Sequence, residues 1–211
     1  CGNPDDPVFG IVGVGANGFP GYSPEFSDEY ARDSYAVYVD ASADLTDNFL
    51  LQAAVRFEDY SDFGNETVGK IAARWRLTDS FAIRGSVGTG FRAPTPGQQG
   101  TTNVSTRLPD GFPVATGLFP PGGVVAQALG ANLLRPETST SYTFGGTFEG
   151  ERLSVTVDFY NIDIDDRFNA VSTLDVSTDP TAGDDYDRYH ALVAAGVVGA
   201  ESIGGVNYFQ N

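Results

Sequence analysis

The stretch Ser80 to Thr95 has the sequence Ser-Phe-Ala-Ile-Arg-Gly-Ser-Val-Gly-Thr-Gly-Phe-Arg-Ala-Pro-Thr, and the prediction of the fold starts from its pattern. Large apolar residues such as Phe81, Ile83 and Phe91 fall on one parity, and small or polar residues fall on the other. A period of two is typical of a β-strand with one apolar and one polar face. Pro94 ends the pattern because proline has no N–H to donate to a β-ladder. The stretch therefore predicts an amphipathic strand.

The same alternation recurs in other segments of similar length. They are Ser34–Leu45, Phe49–Tyr60, Val68–Leu77, Thr138–Glu149 and Arg152–Asp165. In the last of them the apolar parity changes after Tyr160, which predicts a β-bulge near Tyr160-Asn161. The pattern begins again at Val206 to Phe209, which predicts the start of a seventh strand. The sequence therefore predicts an all-β chain of antiparallel up-and-down strands.

The connections between these segments alternate in length. Tight turns are predicted near residues 46, 78 and 150, whereas longer connections fall near 61, at about 91–136 and at about 166–206. The two longest are rich in Pro and Gly and predict irregular functional or mobile loops, with a short helix at Tyr189–Val197. Outer-membrane barrels arrange their short periplasmic turns and long extracellular loops in this one-sided way.

Aromatic residues on the apolar parity are sorted by their height along the strands. Those near the tight-turn ends are Phe49, Trp75, Phe81 and Phe148, and those near the long-loop ends are Tyr35, Phe57, Phe91, Tyr142 and Phe159. Mostly aliphatic and small residues lie between the two groups. Two aromatic girdles around an aliphatic band are typical of a transmembrane β-barrel. The prediction is a partial barrel of about six strands plus the start of a seventh, with long extracellular loops.

Composition excludes several classes of protein. A formal net charge of −16 and a pI near 4.1 argue against a nucleic-acid partner, which requires clustered Lys and Arg. The single cysteine, Cys1, allows no internal disulfide. The chain has no methionine, so we expect residue 1 to be a processing or cleavage boundary within a longer protein.

Residues 1–31 are rich in Gly, Pro and Asp and predict an extracellular loop or flexible lead-in. They contain Gly13-Val14-Gly15-Ala16-Asn17-Gly18, which fits the dinucleotide-binding pattern Gly-x-Gly-x-x-Gly. That pattern needs a helix that opens at the glycines and points its N-terminus at the pyrophosphate. Because Pro20 and Pro24 follow at once, we expect a loop and no dinucleotide site.

Five segments of the chain together carry a family resemblance. Two of them are together fairly specific, Gly90-Phe91-Arg92-Ala93-Pro94 and Leu134-Arg135-Pro136-Glu137-Thr138-Ser139. The others are Asp33-Ser34-Tyr35-Ala36-Val37-Tyr38, Val55-Arg56-Phe57-Glu58-Asp59-Tyr60-Ser61-Asp62-Phe63-Gly64 and Asp158-Phe159-Tyr160-Asn161-Ile162-Asp163-Ile164. These segments resemble the barrel of TonB-dependent outer-membrane receptors. The resemblance covers about residues 30–211, and it predicts a partial receptor barrel at 32–211.

The resemblance implies a 22-stranded barrel closed by an N-terminal plug, located in the cell outer membrane. It implies uptake of a scarce nutrient, such as an iron–siderophore chelate, cobalamin or a saccharide, with energy supplied through TonB. The implied partners are outer-membrane lipid, the protein's own plug domain and remaining barrel strands, TonB through an N-terminal segment that is missing here, and a small-molecule ligand. Open sheet edges do not survive in lipid, so we expect this chain to act within a larger barrel.

Charged residues on the polar parity predict an inner wall that faces the lumen and the plug. They are Arg56, Glu58, Lys70, Arg74, Arg76 and Arg84. Two roles stay open for them: pairing with one another and with the plug, or guiding the ligand. The candidate ligand contacts at the strand top and in the long loops are Arg92, Phe112, Phe119, Tyr186, Tyr189 and His190. His190 is also compatible with an ordinary surface role.

Enzyme signals are poor, so we expect no catalytic residues, no cofactor and no metal site. The chain has one His and one Cys, and it lacks H-E-x-x-H and G-x-S-x-G motifs. Acidic loops such as Asp184-Asp185-Tyr186-Asp187 leave calcium binding as a minority alternative. The alternative function is that of a self-standing secreted or surface β-sandwich that binds glycan or protein through its loops.

Overall fold

The computed structural model describes Gly21, Glu29, residues 31–108 and residues 114–211. It divides into two compact units. One unit comprises Arg32–Ala93 and Arg135–Arg167 and holds a six-stranded sheet, called the main sheet below. The second unit takes its described residues chiefly from Pro94–Leu134 and Phe168–Asn211.

The strands, in chain order, are β1 Ser34–Thr46, β2 Phe49–Tyr60, β3 Gly64–Arg76, β4 Phe81–Arg92, β5 Asn103–Arg107, β6 Val114–Leu118, β7 Glu137–Glu149, β8 Ser154–Asp165, β9 Asn169–Ala170, β10 Leu174–Asp175, β11 Ile203–Asn207 and β12 Phe209–Gln210. The helices are α1 Pro96–Gly100, α2 Val124–Ala128 and α3 Asp184–Ala194, and a 3₁₀ turn spans Ala200–Ser202.

The main sheet has the order β1-β2-β3-β4-β7-β8, and every neighbouring pair is antiparallel. Its tight turns are fixed by local hydrogen bonds. In the β3–β4 turn the Phe81 N–H donates to Thr78 Oγ1 at 3.0 Å, and in the β7–β8 turn the Gly150 N–H donates to the Leu153 carbonyl at 2.8 Å. The predicted all-β, antiparallel up-and-down architecture is confirmed.

Two details of the main sheet differ from the sequence prediction. β3 begins at Gly64, so the β2–β3 connection is short, and Gly64 takes a positive φ of 95° that favours glycine. The predicted bulge near Tyr160 is wrong, because the pairing of β7 with β8 is continuous from Glu149–Ser154 to Thr138–Asp165. The change of apolar parity in β8 therefore needs another explanation, which the tilt of the strands supplies below.

The second unit is more regular than the sequence predicts. Its larger sheet has the order β10-β11-β6-β5, and β12 pairs with β9. Its core is built from small and aliphatic side chains around Phe119, Leu192 and Val206. The predicted helix at Tyr189–Val197 is present but begins earlier, as α3. Among described residues, no helix is both long enough and apolar enough to span a bilayer.

The predicted start of a seventh main-sheet strand is wrong. Val206 and Asn207 belong to β11, which pairs in parallel with β6 in the second unit. The physical reason is burial: Val206 is 0% exposed, whereas a strand of the main sheet keeps its apolar face open. Most of the predicted lead-in at 1–31 lies outside the described residues. Within it, Gly21 forms an antiparallel bridge with Val104.

Candidate functional site

The main sheet leaves one face apolar and exposed. Val37 is 64% exposed, and Val157 and Phe159 on β8 are each 69% exposed. The residues paired across the strands on this face are apolar or small over most of its length. A continuous apolar face of six strands is far larger than the patches that soluble monomers leave open, so it requires a cover of lipid or protein.

The aromatic girdle gives the tilt of the strands. One row of directly paired residues on the apolar face runs Ala41, Ala53, Ile71, Val87, Tyr142 and Asn161. In β1 this row lies six residues from the girdle residue Tyr35, toward the tight-turn end. In β8 it lies two residues from Phe159, toward the long-loop end. Relative to the row of paired residues, the long-loop girdle therefore shifts by about eight residues between β1 and β8, which are five strand spacings apart. With spacings of about 3.4 Å along and 4.8 Å between strands, the tilt is about 48°.

This tilt is close to the value of 35–45° that is typical of membrane barrels. It also explains β8 without a bulge. Beyond Phe159 the apolar-face positions are Asn161, Asp163 and Asp165, and Asn161 Nδ2 donates to Asp163 Oδ2 at 2.7 Å. Because a tilted strand leaves the apolar band at a different register from its neighbours, these polar groups lie above the band.

The opposite face of the main sheet is polar, and an ion pair crosses one of its strands. Arg84 on β4 donates through Nε and Nη2 to the two Asp158 oxygens on β8, at 3.0 and 2.5 Å. β7 lies between these strands, and Gly145 is the residue directly between the two side chains. A Cβ at Gly145 would lie 2.0 Å from Asp158 Oδ1, so only glycine leaves the path open.

The other predicted inner-wall residues also lie on the polar face. Arg56 donates to Glu58, and the Tyr60 hydroxyl donates to the second Glu58 oxygen at 2.5 Å. At the long-loop end, Arg92 pairs with Glu137 at 2.8 Å across β4 and β7. Sequence reasoning missed Asp158 and Glu137 as partners, because pairing across strands depends on register. Lys70 and Arg74 line a groove together with Arg84, and Arg76 follows Arg74 on the same parity.

An aromatic cluster lies on α3 in the second unit. The Tyr186 and His190 rings meet edge to face with centroids 4.4 Å apart, and Tyr189 lies 5.4 Å from His190. Helical spacing brings the three rings together because positions i, i+3 and i+4 share a face. Arg188 anchors the helix: its Nη1 donates to the Asp175 carbonyl at 2.9 Å and to Asp185 Oδ1 at 2.6 Å.

The remaining candidate contacts have different outcomes. Phe119 is only 1% exposed and belongs to the core of the second unit, so its ring is not available to stack on a ligand. Phe112 lies outside the described residues. Tyr208, which the sequence did not single out, is buried and donates its hydroxyl to the Leu129 carbonyl at 3.0 Å.

The turn before α3 carries a perturbed carboxyl group. The Thr181 backbone N–H and hydroxyl donate to Asp179 Oδ1 at 2.9 and 2.8 Å, and these bonds hold the pKa of Asp179 below its ordinary value. Their contribution to stability is present above the unfolded-state pKa and is lost as the pH falls through the folded-state pKa. Within residues 31–108 and 114–211, no cluster of three His, Cys, Asp or Glu side chains is arranged to hold a metal ion.

The sequence profile described as "TonB dependent receptor-like, beta-barrel" matches residues 3–211. The chain belongs to the TonB-dependent receptor β-barrel family. The six tilted strands of the main sheet are therefore part of a receptor barrel, and the sequence-based identification of the family is confirmed.

Individual receptors are similar to the chain over different lengths. It is 24% identical over 190 residues to the ferric enterobactin receptor PirA of Pseudomonas aeruginosa, which is 89% of this chain and 25% of that receptor. It is 31% identical over 71 residues to the vitamin B12 transporter BtuB of Vibrio cholerae, which is 34% of this chain and 12% of the transporter. The first of these relatives is a receptor and the second is a transporter.

A solved siderophore receptor shows the same fold. The crystal structure of the siderophore receptor PirA from Acinetobacter baumannii superimposes with a TM-score of 0.58 at 18% identity. The match covers 91% of this chain and 26% of that one. The chain thus spans about a quarter or less of the receptors it matches, and the main sheet corresponds to part of a barrel wall.

Proposed function

We propose that this chain forms part of the wall and the ligand-binding loops of an outer-membrane receptor that imports a scarce nutrient. The observation that carries the proposal is the main sheet itself. Its strands are tilted by about 48°, with an apolar band between aromatic girdles on one face and ion-paired charges on the other. Such a sheet separates lipid from a polar lumen.

An iron–siderophore chelate is the nutrient class that we favour. The similarity to a ferric enterobactin receptor extends over 89% of the chain, whereas the similarity to a vitamin B12 transporter covers 34%. Cobalamin and saccharides remain in the test panel. Energy coupling through TonB and closure by a plug domain complete the proposal, by analogy with the family to which the chain belongs.

The aromatic cluster on α3 supports a ligand-binding role for the second unit. Tyr186 and Tyr189 are half-buried and His190 is exposed. The three rings pack against one another, and the His190 ring is the most accessible to a ligand. Aromatic faces of this kind bind planar or apolar ligand groups. Arg92, at the long-loop end of β4, pairs with Glu137, and this ion pair is the candidate polar contact for the ligand.

The alternative, a self-standing β-sandwich, is disfavoured by the exposed apolar face. A sandwich buries the apolar face of each sheet against a second sheet. In the main sheet, Val157 and Phe159 are each 69% exposed. A sandwich also has no physical reason to carry aromatic girdles that move along the register from strand to strand.

The test is an uptake assay on the full-length receptor expressed in a strain that lacks it. Ferric siderophores, cobalamin and an oligosaccharide are supplied as labelled ligands, with and without TonB. We expect TonB-dependent uptake of one ferric siderophore. His190→Ala and Tyr186→Ala should each raise the half-saturation concentration about three- to tenfold, since an aromatic pair contributes about 0.5–1.5 kcal/mol.

Val198→Ala is the matched control, because Val198 is 54% exposed in the same segment and lies outside the aromatic cluster. Its uptake should match that of the wild type. If the strain without the receptor takes up every ligand of the panel as well as the strain that expresses it, the proposed function is contradicted. An effect of Val198→Ala as large as that of His190→Ala contradicts the assignment of the aromatic cluster.

A further inference from the structure

The polar face of the main sheet contains a groove of about 250 Å³ between β2, β3, β4 and β7. Basic side chains and neutral polar groups share its lining, as Lys70, Arg74, Arg84, Gln52, Ser86 and Thr143. None of the described residues that line it carries a carboxylate. This is unusual in a chain whose formal net charge is −16, so the groove is a local concentration of positive charge.

The register places like charges side by side in this groove. Arg74 on β3 is the direct partner of Arg84 on β4. Like charges directly opposite each other destabilise a β-sheet, so this arrangement needs a compensating negative charge. Arg84 has one, because its guanidinium forms a bidentate pair with Asp158.

Among the described residues, Arg74 lacks the corresponding partner. The row of paired residues through it runs Asp44, Leu50, Arg74, Arg84, Gly145 and Asp158. Arg84 reaches Asp158 because the residue between them is Gly145, whereas Leu50 stands between Arg74 and Asp44. Accordingly, within the part of the chain that the structure describes, neither Arg74 nor Lys70 forms an ion pair or a side-chain hydrogen bond.

We infer that this anion groove binds a small oxyanion-bearing ligand, a phosphate or carboxylate group, with Arg74 and Lys70 as its charged donors. The guanidinium fork of Arg74 matches the two oxygens of such a group, and the Lys70 ammonium supplies a second charge. Gln52 adds a neutral hydrogen-bonding group on the β2 side. The inference rests on the proposed function in taking the polar face as the lumen side of the barrel, where the groove faces the proposed plug domain.

The experiment measures anion binding to the purified full-length receptor in neutral detergent by calorimetric titration. Inorganic phosphate and citrate are the probes, so the two oxyanion sources are compared directly. We expect saturable binding of at least one probe. Arg74→Gln should weaken it about tenfold, the effect of losing one charged hydrogen bond.

A second variant is expected to change the affinity in the opposite direction. Asp158→Asn releases Arg84 from its ion pair and adds a cation to the groove, so the probe should bind several-fold more tightly. Arg152→Gln is the control for net charge, because Arg152 lies in the exposed β7–β8 turn outside the groove. It should change the affinity less than about twofold, the ordinary effect of an exposed charge.

Three results would overturn the inference. They are the absence of saturable binding in the wild type, an Arg74→Gln affinity within twofold of the wild type, or an equal loss in Arg152→Gln. The first includes the case in which an acidic segment of the receptor fills the groove. The uptake assay distinguishes this inference from the proposed function. Normal uptake without anion binding contradicts only the inference that the groove binds anions. Suppose instead that the receptor imports nothing from the panel, but binds the anion and loses this binding in Arg74→Gln. That result contradicts only the proposed import function.

Discussion

Replacement of Gly145 by alanine is the sharpest test of how the polar face is built. Gly145 lies between Arg84 and Asp158, whose side chains meet across β7. An alanine Cβ there would lie 2.0 Å from Asp158 Oδ1 and 2.6 Å from the Val157 carbonyl oxygen. The first contact displaces a side chain, but the second pushes against the backbone of β8.

The size of the effect follows from these two contacts. Overpacking of this kind costs typically about 1–3 kcal/mol, and here it also breaks the bidentate ion pair. Gly146→Ala is the matched control one residue away, on the apolar face. Its Cβ would meet the Phe81 ring at 3.6 Å, an ordinary van der Waals contact, so we expect a change within about 0.5 kcal/mol.

The assay is urea unfolding of the full-length receptor in lipid vesicles, with the folded fraction read from the gel mobility of unheated samples. A double variant adds resolution. Asp158→Ala removes the 2.0 Å contact but leaves the backbone contact at 2.6 Å, so it should recover part of the stability lost in Gly145→Ala. Equal midpoints for Gly145→Ala and Gly146→Ala would refute this reading of the polar face.

Three further predictions concern the lipid boundary and the second unit. Val157→Lys should destabilise the folded, membrane-inserted state by roughly 1–2 kcal/mol, because its side chain points to lipid at a depth between the girdle residue Phe159 and the midplane. Thr156→Lys on the polar face should fold normally, and the folded fraction after refolding measures both. A water-soluble maleimide should label Asn161→Cys and spare Val157→Cys, and equal labelling contradicts the tilt. Leu192→Ala should open the second unit to limited proteolysis, since it removes roughly 2–5 kcal/mol of core packing, while the exposed Val193→Ala should not.

The parts of the fold that the sequence predicts well are those where lipid enforces the pattern. β2 has the predicted bounds, Phe49–Tyr60, and β7 begins one residue earlier than predicted. In these strands every second side chain must be apolar, so the period of two is strong and marks both ends. The start of β3 was missed because Gly64 to Thr67 carry no such alternation and resemble a loop in composition.

The second unit was predicted poorly because its strands follow a different rule. β6 and β11 are short, rich in small residues and partly or fully buried on both faces, so they show no alternation. The Gly and Pro residues next to them in the sequence favour the prediction of a loop. Burial of Phe119 is likewise invisible from the sequence, because an aromatic residue in a long connection is equally compatible with a core and with a ligand contact.

Strand tilt connects the lipid band to the chemistry of the polar face. The row that contains Arg74, Arg84 and Asp158 crosses the sheet at right angles to its strands, and the strands themselves are tilted by about 48°. In β3, Arg74 is next to Trp75 of the tight-turn girdle, and in β8, Asp158 is next to Phe159 of the long-loop girdle. One row of paired residues therefore rises obliquely across the apolar band, from the tight-turn side in β3 toward the long-loop side in β8. The charges of this row form an oblique line along the polar face, and the anion groove lies at the end of the line that is nearer the tight turns.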